Sequence, residues 1–374
     1  MDSGIFHNPY MKPGRSMREV LDWSVRLAQV ADKAGVADFM IGEHATEGWQ
    51  PIPNPEIVIG ACALVTDNIR FAPMAHILPM HQPASLAIQI GWLSQVLEGR
   101  YFLGIATGAY PRDAAVRGQP MDLSEARPRM LEAIEVMEKV WKREPFHYEG
   151  DFYNAGYPSV EATDPDPTRD LNLQSDFTPW GGRQNLEIAV TGMSANSSSM
   201  RFAGQRGYLP ISFYGGADSV RSHWDTYSAA AVEAGHAADR SRFRVSRDIF
   251  VADTDKEAKR RAIAGGLGYF WDRYLVPVYK RYGLLQGFID DSGTDITPED
   301  VTLDWLAEHV WVCGSADTVT RKLEEMSERI GGFGTIVMNS HDCIDDPEPW
   351  FESTQRLAQE VAPRISMPSP VATS

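Results

Sequence analysis

Cysteine, basic charge and long apolar runs are all scarce in this sequence, and each shortage excludes a class of protein. The three cysteines, Cys62, Cys313 and Cys343, lie far apart and form no Cys-x-x-Cys pair. We therefore expect neither a disulfide framework nor a zinc site, and a reduced, cytoplasmic protein is favoured. Lysine and arginine number 35 against 51 acidic residues, a net charge of −16. That balance repels phosphate backbones and anionic lipid, so nucleic acid and membrane surfaces are poor partners.

Several other common signatures are missing as well. No segment approaches the roughly 20 apolar residues of a membrane span, and residues 1–13 lack the basic-then-apolar layout of a secretion signal. The first strand-to-helix turn, residues 7–15, carries no Gly-x-Gly-x-x-Gly, and the chain has no phosphate-binding Gly-Lys-Ser/Thr loop. His-x-His, His-Glu-x-x-His and Gly-x-Ser-x-Gly are also absent. We therefore expect no metal centre and no serine hydrolase.

What the sequence does contain is an alternation of short apolar runs with helical patterns. The apolar run at 4–6 precedes a helix that Ser16 caps and Gly35 ends, and the run at 38–42 leads directly into Glu43 and His44. About eight such units, with no break in composition, predict a single (β/α)₈ TIM barrel, an α/β fold, over residues 1–362. A doubly wound open sheet is the main alternative. The Pro- and Ser-rich residues 363–374 are predicted to be a disordered tail.

Inserted segments interrupt the alternation. Residues 145–154 predict a hairpin, and residues 156–183, rich in Pro, Asp, Thr and Gly, predict a long loop. Later in the chain we expect one strand at 244–251, a helical insertion at 256–281 and an acidic loop at 290–300. The predicted barrel therefore carries an inserted hairpin, loop and helical segment.

In a parallel barrel the functional groups lie at the carboxyl ends of the strands. His44 follows the second strand, where it could exchange a proton near neutral pH, or be only a rim histidine paired with Glu43. After the fifth strand, Gly192 and Ser194 precede a helix that opens with Ser197 and Ser198. Free backbone N–H groups and hydroxyls suit a phosphate, although serines also cap helices that bind nothing.

A set of short motifs keeps the order found in the luciferase-like superfamily of flavin-dependent monooxygenases, and the chain resembles that family, most of all its limonene-monooxygenase branch. The motifs are Phe39–His44, Asn68–Phe71, His76–Pro79, Leu97–Tyr101, Gly104–Gly108, Phe146–Tyr153, Thr191–Ser194, Arg206–Tyr208 and Glu308–Ser315.

The resemblance implies a TIM barrel that binds reduced flavin mononucleotide (FMN), supplied by a separate flavin reductase, and uses dioxygen to oxygenate a small apolar terpenoid, ketone, aldehyde or aromatic substrate. It implies that His44 is the catalytic histidine. It also implies a non-proline cis peptide between Met74 and Ala75 beneath the flavin ring. The remaining residues implied to bind the cofactor are Thr107, Gly108 and Ala109 near the ring and ribityl chain, with Gly192, Ser194, Ser197 and Ser198 towards the phosphate.

Two departures from luciferase itself are visible. Thr107 stands where luciferase has an arginine that reaches the flavin phosphate, and Ala45 stands where it has a second histidine. Without the arginine, either flavin would bind more weakly or its phosphate would depend more on the serine-rich helix start. The aromatic residues Trp49, Tyr110, Phe213 and Tyr214 are candidates for an apolar substrate wall, or for packing alone.

Two other functions stay open at this point. A deazaflavin-dependent oxidoreductase shares the barrel and the histidine, and would transfer hydride without oxygen. A non-catalytic flavin-binding relative is the third reading, although it would have no need of a base at His44. Family members usually form homodimers, or higher homo-oligomers, across the helices that follow the second and third strands. The apolar stretches 57–59 and 86–93 would allow such an interface.

Overall fold

The computed structural model of the chain describes residues 1–108, 110–157, 176–194, 196–213 and 215–368. The strands are β1 (Asp2–Tyr10), β2 (Asp38–Ile41), β3 (Arg70–Pro73), β4 (His76–Ile77), β5 (Leu103–Ala106), β6 (Phe146–Glu149), β7 (Asn154–Tyr157), β8 (Ile188–Gly192), β9 (Leu209–Ser212), β10 (Arg244–Arg247), β11 (Ile249–Val251), β12 (Val312–Gly314) and β13 (Thr335–His341).

The α-helices alternate with these strands for most of the chain. They are α1 (Met17–Ala34), α2 (Pro55–Ala63), α3 (Pro83–Leu97), α4 (Pro111–Val116), α5 (Ala126–Lys142), α6 (Ser198–Arg206), α7 (Ala217–Glu233), α8 (Asp255–Ala264), α9 (Gly266–Phe270), α10 (Val276–Tyr282), α11 (Gln286–Ser292), α12 (Leu303–His309), α13 (Ala316–Ile330) and α14 (Glu348–Arg356). A π-helical segment, Trp271–Leu275, joins α9 to α10, and a second one, Leu357–Val361, follows α14.

Nine of the strands form one parallel sheet that closes on itself. Their order is β3-β2-β1-β13-β10-β9-β8-β5-β4. A parallel bridge between Phe71 and Tyr101 joins β3 to the segment ahead of β5, and β4 pairs with β5. Because only Met74 and Ala75 separate β3 from β4, these two strands act as one stave, and the barrel has eight staves. The predicted (β/α)₈ barrel is confirmed, and the open-sheet alternative is wrong.

The interior of the barrel is packed with apolar side chains, as is usual in this fold. Among the described residues this inner cluster comprises Phe6, Met40, Ala72, Met74, Ala75, Phe102, Ala189, Leu209, Ile211 and Val337. The other faces of the strands pack against the helices. In α1, Val20, Leu27 and Ala31 recur at helical spacing on the buried face, and Ser16 and Glu19 form a capping box. The interior is therefore closed below the strand ends, and chemistry is confined to the mouth.

Two predicted elements differ from the structure. The segment 244–251 is two strands, because the chain leaves the barrel after β10 and β11 pairs with β12 in a separate sheet. Asp248 lies at the break, where it accepts hydrogen bonds from the Trp271 indole (2.7 Å) and the His341 imidazole (2.8 Å). The predicted acidic loop begins inside α11, which runs to Ser292.

The insertions otherwise lie where the sequence predicts them. β6 and β7 form the antiparallel hairpin, which extends to Tyr157, and α8 to α10 form the helical insertion. Residues 158–175 of the predicted loop lie outside the described residues. The packed chain continues beyond 362, since Ile365 is buried; residues 369–374 of the predicted tail are not described. None of the helices in the described ranges is both long and apolar enough to cross a membrane.

Candidate active site

Four neighbouring staves bring most of the predicted site residues to the mouth of the barrel. His44 follows β2, Met74 and Ala75 lie between β3 and β4, Thr107 and Gly108 follow β5, and Gly192 ends β8. These staves are adjacent in the sheet, since β2 pairs with β3, β4 with β5 and β5 with β8. The predicted residues therefore form one arc around the rim. Ala109 lies outside the described residues.

His44 is held by a buried carboxylate. Its Nδ1 lies 3.3 Å from Asp113 Oδ2, and the same carboxylate accepts a hydrogen bond from the backbone N–H of Thr46 at 2.7 Å. Tyr110 packs edge-on against the imidazole, with ring centroids 5.1 Å apart. The His44 side chain keeps 18% of its surface exposed, whereas Asp113 is buried. Because Asp113 occupies Nδ1, Nε2 is the imidazole nitrogen that remains for a substrate or cofactor.

The charge of Asp113 is preserved despite its burial. Burial raises the pKa of the Asp113 carboxyl, but hydrogen bonds from His44 and Thr46 outweigh this effect and leave its pKa below the ordinary value. A carboxylate on Nδ1 fixes the orientation of the imidazole. The pair can therefore exchange a proton with a substrate or cofactor at the mouth through Nε2.

Glu43, which precedes His44, belongs to a separate buried network. Its carboxylate contacts His76 Nδ1 at 3.0 Å, His81 Nε2 at 2.7 Å and Arg117 Nη2 at 2.8 Å. The alternative that His44 pairs with Glu43 is therefore wrong. Burial raises the pKa of Glu43, but the hydrogen bonds from His76 and His81 lower it by more. The pKa of Glu43 therefore lies well below its ordinary value.

The Glu43 network also has the composition of a metal site. One ligand atom from each of Glu43, His76 and His81 lies within 4.8 Å of the others. The guanidinium of Arg117 already supplies a cation to the same carboxylate oxygen that His81 contacts. A second cation beside Arg117 would be repelled, so we interpret the cluster as an ion-pair network that ties β2 to the segment after β4.

The short helix α4 is the element that sequence reasoning missed. Asp113 in its first turn reaches His44, and Arg117 at its carboxyl end reaches Glu43. These two residues are four apart, so they lie on the same face of a helical turn. The four-residue spacing of Asp113 and Arg117 in the sequence indicates that the two share a helix face. It does not indicate which strand end that face covers.

The middle of the arc contains the non-proline cis peptide that the family resemblance implies. It joins Met74 to Ala75, and both residues are buried. Gly108 has φ of +82°, and a Cβ there would lie 2.5 Å from Ile77 Cγ2. Only glycine fits such a position, because the left-handed backbone and the close contact both exclude a side chain. The backbone after β5 therefore lies directly against the segment that follows the cis peptide.

The serine-rich end of the arc is the start of α6. Ser197 is its buried N-cap residue, and its side chain makes no capping hydrogen bond. Ser194 and Ser198 are exposed. The first N–H groups of α6 therefore have no side-chain acceptor from the cap residue, and two hydroxyls lie beside them. This donor set, at the positive end of a helix dipole, suits an anion.

Aromatic residues surround the His44 side of the mouth. Trp49 contacts Tyr274 with ring centroids 5.4 Å apart, and the Tyr274 hydroxyl donates to Glu47 at 3.3 Å. Tyr110 hydrogen-bonds to Tyr274 as well. Phe213 follows β9, away from His44, and packs edge-on against Phe6 with ring centroids 4.8 Å apart. Tyr274 belongs to the helical insertion, and no pattern in the sequence predicts that this insertion lies at the mouth. Tyr214 lies outside the described residues.

Comparisons with known proteins identify the family of this chain. The sequence model of the family described as luciferase-like monooxygenase matches residues 1–332. The 2,5-diketocamphane 1,2-monooxygenase 1 of Pseudomonas putida is 56% identical over 98% of this chain and 100% of its own length. Limonene 1,2-monooxygenase of Rhodococcus erythropolis is 25% identical over 98% of this chain and 87% of its own.

A solved structure has a fold similar to that of this chain. It is described as the oxygenating constituent of 3,6-diketocamphane monooxygenase from the CAM plasmid of Pseudomonas putida, a type II Baeyer-Villiger monooxygenase, in complex with FMN. The similarity has a TM-score of 0.92 at 49% identity, and it covers 98% of this chain and 99% of that one.

Proposed function

Since the chain belongs to the luciferase-like monooxygenase family, as its ordered motifs predict, we propose that it is the oxygenating component of a two-component Baeyer–Villiger monooxygenase. It would use reduced FMN, delivered by a separate flavin reductase, and dioxygen to oxygenate a small apolar terpenoid ketone. The observation that carries this proposal is the similarity to the diketocamphane monooxygenases along almost the whole chain. That similarity is higher than the similarity to limonene monooxygenase, so a ketone is favoured over an alkene.

The residues of the arc fit FMN. The Gly108 backbone and the Met74–Ala75 peptide offer a closely packed surface for a flat ring, because the missing side chain lets the Gly108 backbone lie directly against Ile77. The free N–H groups of α6, with Ser194, Ser197 and Ser198, offer donors for a phosphate dianion. Thr107 is uncharged and cannot form an ion pair with the phosphate, so the phosphate would be bound by these donors. When bound, reduced FMN supplies two electrons and activates dioxygen.

His44 would act on the proton of the oxygenation. One oxygen atom enters the bond between the carbonyl carbon and its neighbour, and the other leaves as water, with two electrons from reduced FMN and two protons. His44 Nε2 would hold or deliver a proton beside the reacting oxygen, and Asp113 on Nδ1 would keep the ring in place. Trp49, Tyr110 and Tyr274 would exclude water and pack against the apolar substrate.

The proposal is tested by supplying chemically reduced FMN to the protein alone, in air, with a bicyclic terpenoid diketone. We expect a lactone, formed without any reductase and in proportion to the reduced FMN added. Reduced riboflavin should support slower product formation at equal concentration. A protein that is saturated only by a reduced deazaflavin, and that reduces the ketone anaerobically, would establish the second reading instead. Flavin binding without turnover would favour the non-catalytic one.

The same proposal includes a homodimer across α2 and α3. Leu64 is 84% exposed and Trp92 60% exposed, and Ile57 and Ile88 also face outward. The other apolar residues of the predicted stretches, among them Ile59 and Leu86, are buried in the core. Exposed apolar side chains on adjacent helices are typical of a subunit interface.

Replacing Trp92 tests the dimer directly. Trp92→Glu should convert the dimer to monomers in analytical ultracentrifugation, because a carboxylate would be desolvated at the interface. Val232→Glu is the matched control, since Val232 is 67% exposed on α7. Equal sedimentation of parent and Trp92→Glu would contradict this interface.

We also propose a cytoplasmic location, which the free cysteines Cys62, Cys313 and Cys343 support.

A further inference from the structure

A buried histidine on α7 connects the strand ends on either side of the proposed phosphate site. His223 is fully buried. Its Nδ1 lies 2.8 Å from the Ser212 hydroxyl at the end of β9, and its Nε2 lies 2.8 Å from the Ser194 carbonyl oxygen after β8. Neither contact is local in sequence, since Ser194 and Ser212 precede His223 by 29 and 11 residues. His223 therefore fixes two neighbouring staves to each other at the mouth.

The partners of His223 define its protonation state. A carbonyl oxygen can only accept, so Nε2 carries the hydrogen and donates to Ser194. Burial lowers the pKa of His223, and the nearby charge of Arg247 lowers it further against the opposing effect of the Ser194 hydrogen bond. In the neutral ring Nδ1 is then an acceptor, and the Ser212 hydroxyl donates to it. Both nitrogens are satisfied in a single tautomer, so the ring has one orientation.

Neighbouring contacts hold the same loop. A Cβ on Gly192 would lie 2.8 Å from Met200 Cγ and 3.3 Å from His223 Cδ2, so the absence of a side chain lets the loop pack on α6 and α7. Ser222, next to His223, accepts a hydrogen bond from the Asn196 backbone N–H at 2.9 Å and donates to the Asn196 side chain at 3.1 Å. Consecutive residues of α7 therefore hold the loop on both sides of residue 195.

We propose that His223 is a positioning residue for the flavin phosphate. By donating to the Ser194 carbonyl, it holds that oxygen towards α7, so that its negative dipole is kept out of the space where the N–H groups of α6 point. A carbonyl turned into that space would repel a phosphate dianion. This inference rests on the proposed function, and it concerns the phosphate rather than the flavin ring.

The test compares FMN with riboflavin, which lacks the phosphate, in equilibrium binding to three variants. His223→Leu should weaken FMN binding about tenfold, the scale of one lost hydrogen bond, and leave riboflavin binding within about twofold. His223→Gln keeps an N–H donor near the Nε2 position and should recover part of the loss. Ser212→Ala removes only a hydroxyl, so it folds even if His223→Leu does not, and it should show a smaller loss confined to FMN.

The control is His236→Leu, because His236 is exposed and packs at the opposite end of α6, beside Gly207. It should leave both affinities unchanged. The inference is overturned if the His223 variants weaken both ligands equally, lower only the melting temperature, or show no difference between Gln and Leu. If Ser197→Ala and Ser198→Ala weaken FMN and riboflavin binding equally, the proposed phosphate site itself is wrong. If the serine variants weaken FMN binding selectively but the His223 variants do not, only the role of His223 is overturned.

Discussion

At the scale of single residues, the candidate site pairs a histidine, His44, with a carboxylate that keeps its charge. The strand-end rule and the family motifs were enough to select His44. Asp113 could not be selected in the same way, because it contacts His44 across 69 residues of chain. The sequence spacing of Asp113 and Arg117 indicates a shared helix face. That face points to His44 only once the barrel has placed α4 over the end of β2.

Replacing His44 tests its role in proton transfer. His44→Ala should leave the barrel folded and FMN bound, while turnover falls by a factor on the order of 10²–10⁴, the usual range for a positioned acid–base group. Release of hydrogen peroxide per reduced FMN should rise, because oxygen that is activated but not transferred is lost. Lactone and peroxide are measured together, with melting temperature as a check on folding.

The matched control for this experiment is His309→Ala, since His309 is an exposed histidine that packs on Trp305 away from the mouth. Its coupling of lactone to reduced FMN should equal that of the parent. If His44→Ala also keeps parent-level coupling and loses only stability, His44 is a rim residue and the catalytic assignment is wrong.

At the scale of elements, most helices and strands could be predicted from periodicity and caps. The helix Met17–Ala34, with its caps Ser16 and Gly35, and the start of α6 lie where the sequence predicts them. The split between β10 and β11 could not be predicted, because 244–251 is one continuous β-rich pattern. The split depends on Asp248, whose partners Trp271 and His341 are far along the chain. Tertiary contacts therefore override local preference at that point.

The start of α6 gives a prediction at this scale. Ser197→Ala and Ser198→Ala should each weaken FMN binding by about 1.5–3 kcal/mol, the cost of losing a hydrogen bond to a charged group. Riboflavin affinity should stay nearly unchanged. Isothermal titration with both ligands measures the difference. An equal loss for FMN and riboflavin would mean that the helix start does not hold the phosphate.

At the scale of the whole molecule, an ion-pair network lies at the end of the barrel opposite the candidate active site. Asp38 at the start of β2 is fully buried, and it accepts hydrogen bonds from Arg70 at 2.9 Å and Arg244 at 2.8 Å. Burial raises the pKa of Asp38, but the two arginines outweigh this effect and its pKa is below the ordinary value. Strand alternation predicts the barrel, whereas no local pattern predicts a pair 206 residues apart.

The Asp38 network should make the free energy of unfolding decrease as the pH falls. Because the pKa of Asp38 is lower in the folded state, its contribution is complete above the unfolded pKa of about 3.9 and is lost as the pH falls through the folded value. Asp38→Asn should cost about 3–5 kcal/mol at pH 7, since it leaves the buried Arg244 and the half-buried Arg70 without the carboxylate that they share. Below pH 4 the difference between parent and variant should shrink.

Urea unfolding of the parent and the variant, at pH 7 and at pH 3, measures both effects. Asp22→Asn is the control, because Asp22 pairs with Arg18 on the surface and should contribute no more than about 0.5 kcal/mol. A stability gap between the parent and Asp38→Asn that is the same at both pH values would show that the Asp38 charge is not what the network needs.

The most direct test of the proposed chemistry is to follow the oxygen atoms. A single turnover of the protein with reduced FMN, ¹⁸O₂ and a bicyclic terpenoid diketone, analysed by mass spectrometry, should give a lactone that carries one ¹⁸O atom. The second ¹⁸O atom should appear in water, with close to one lactone formed per reduced FMN. An unlabelled product, or ¹⁸O found only in hydrogen peroxide, would contradict the assignment of this chain as an FMN-dependent ketone monooxygenase.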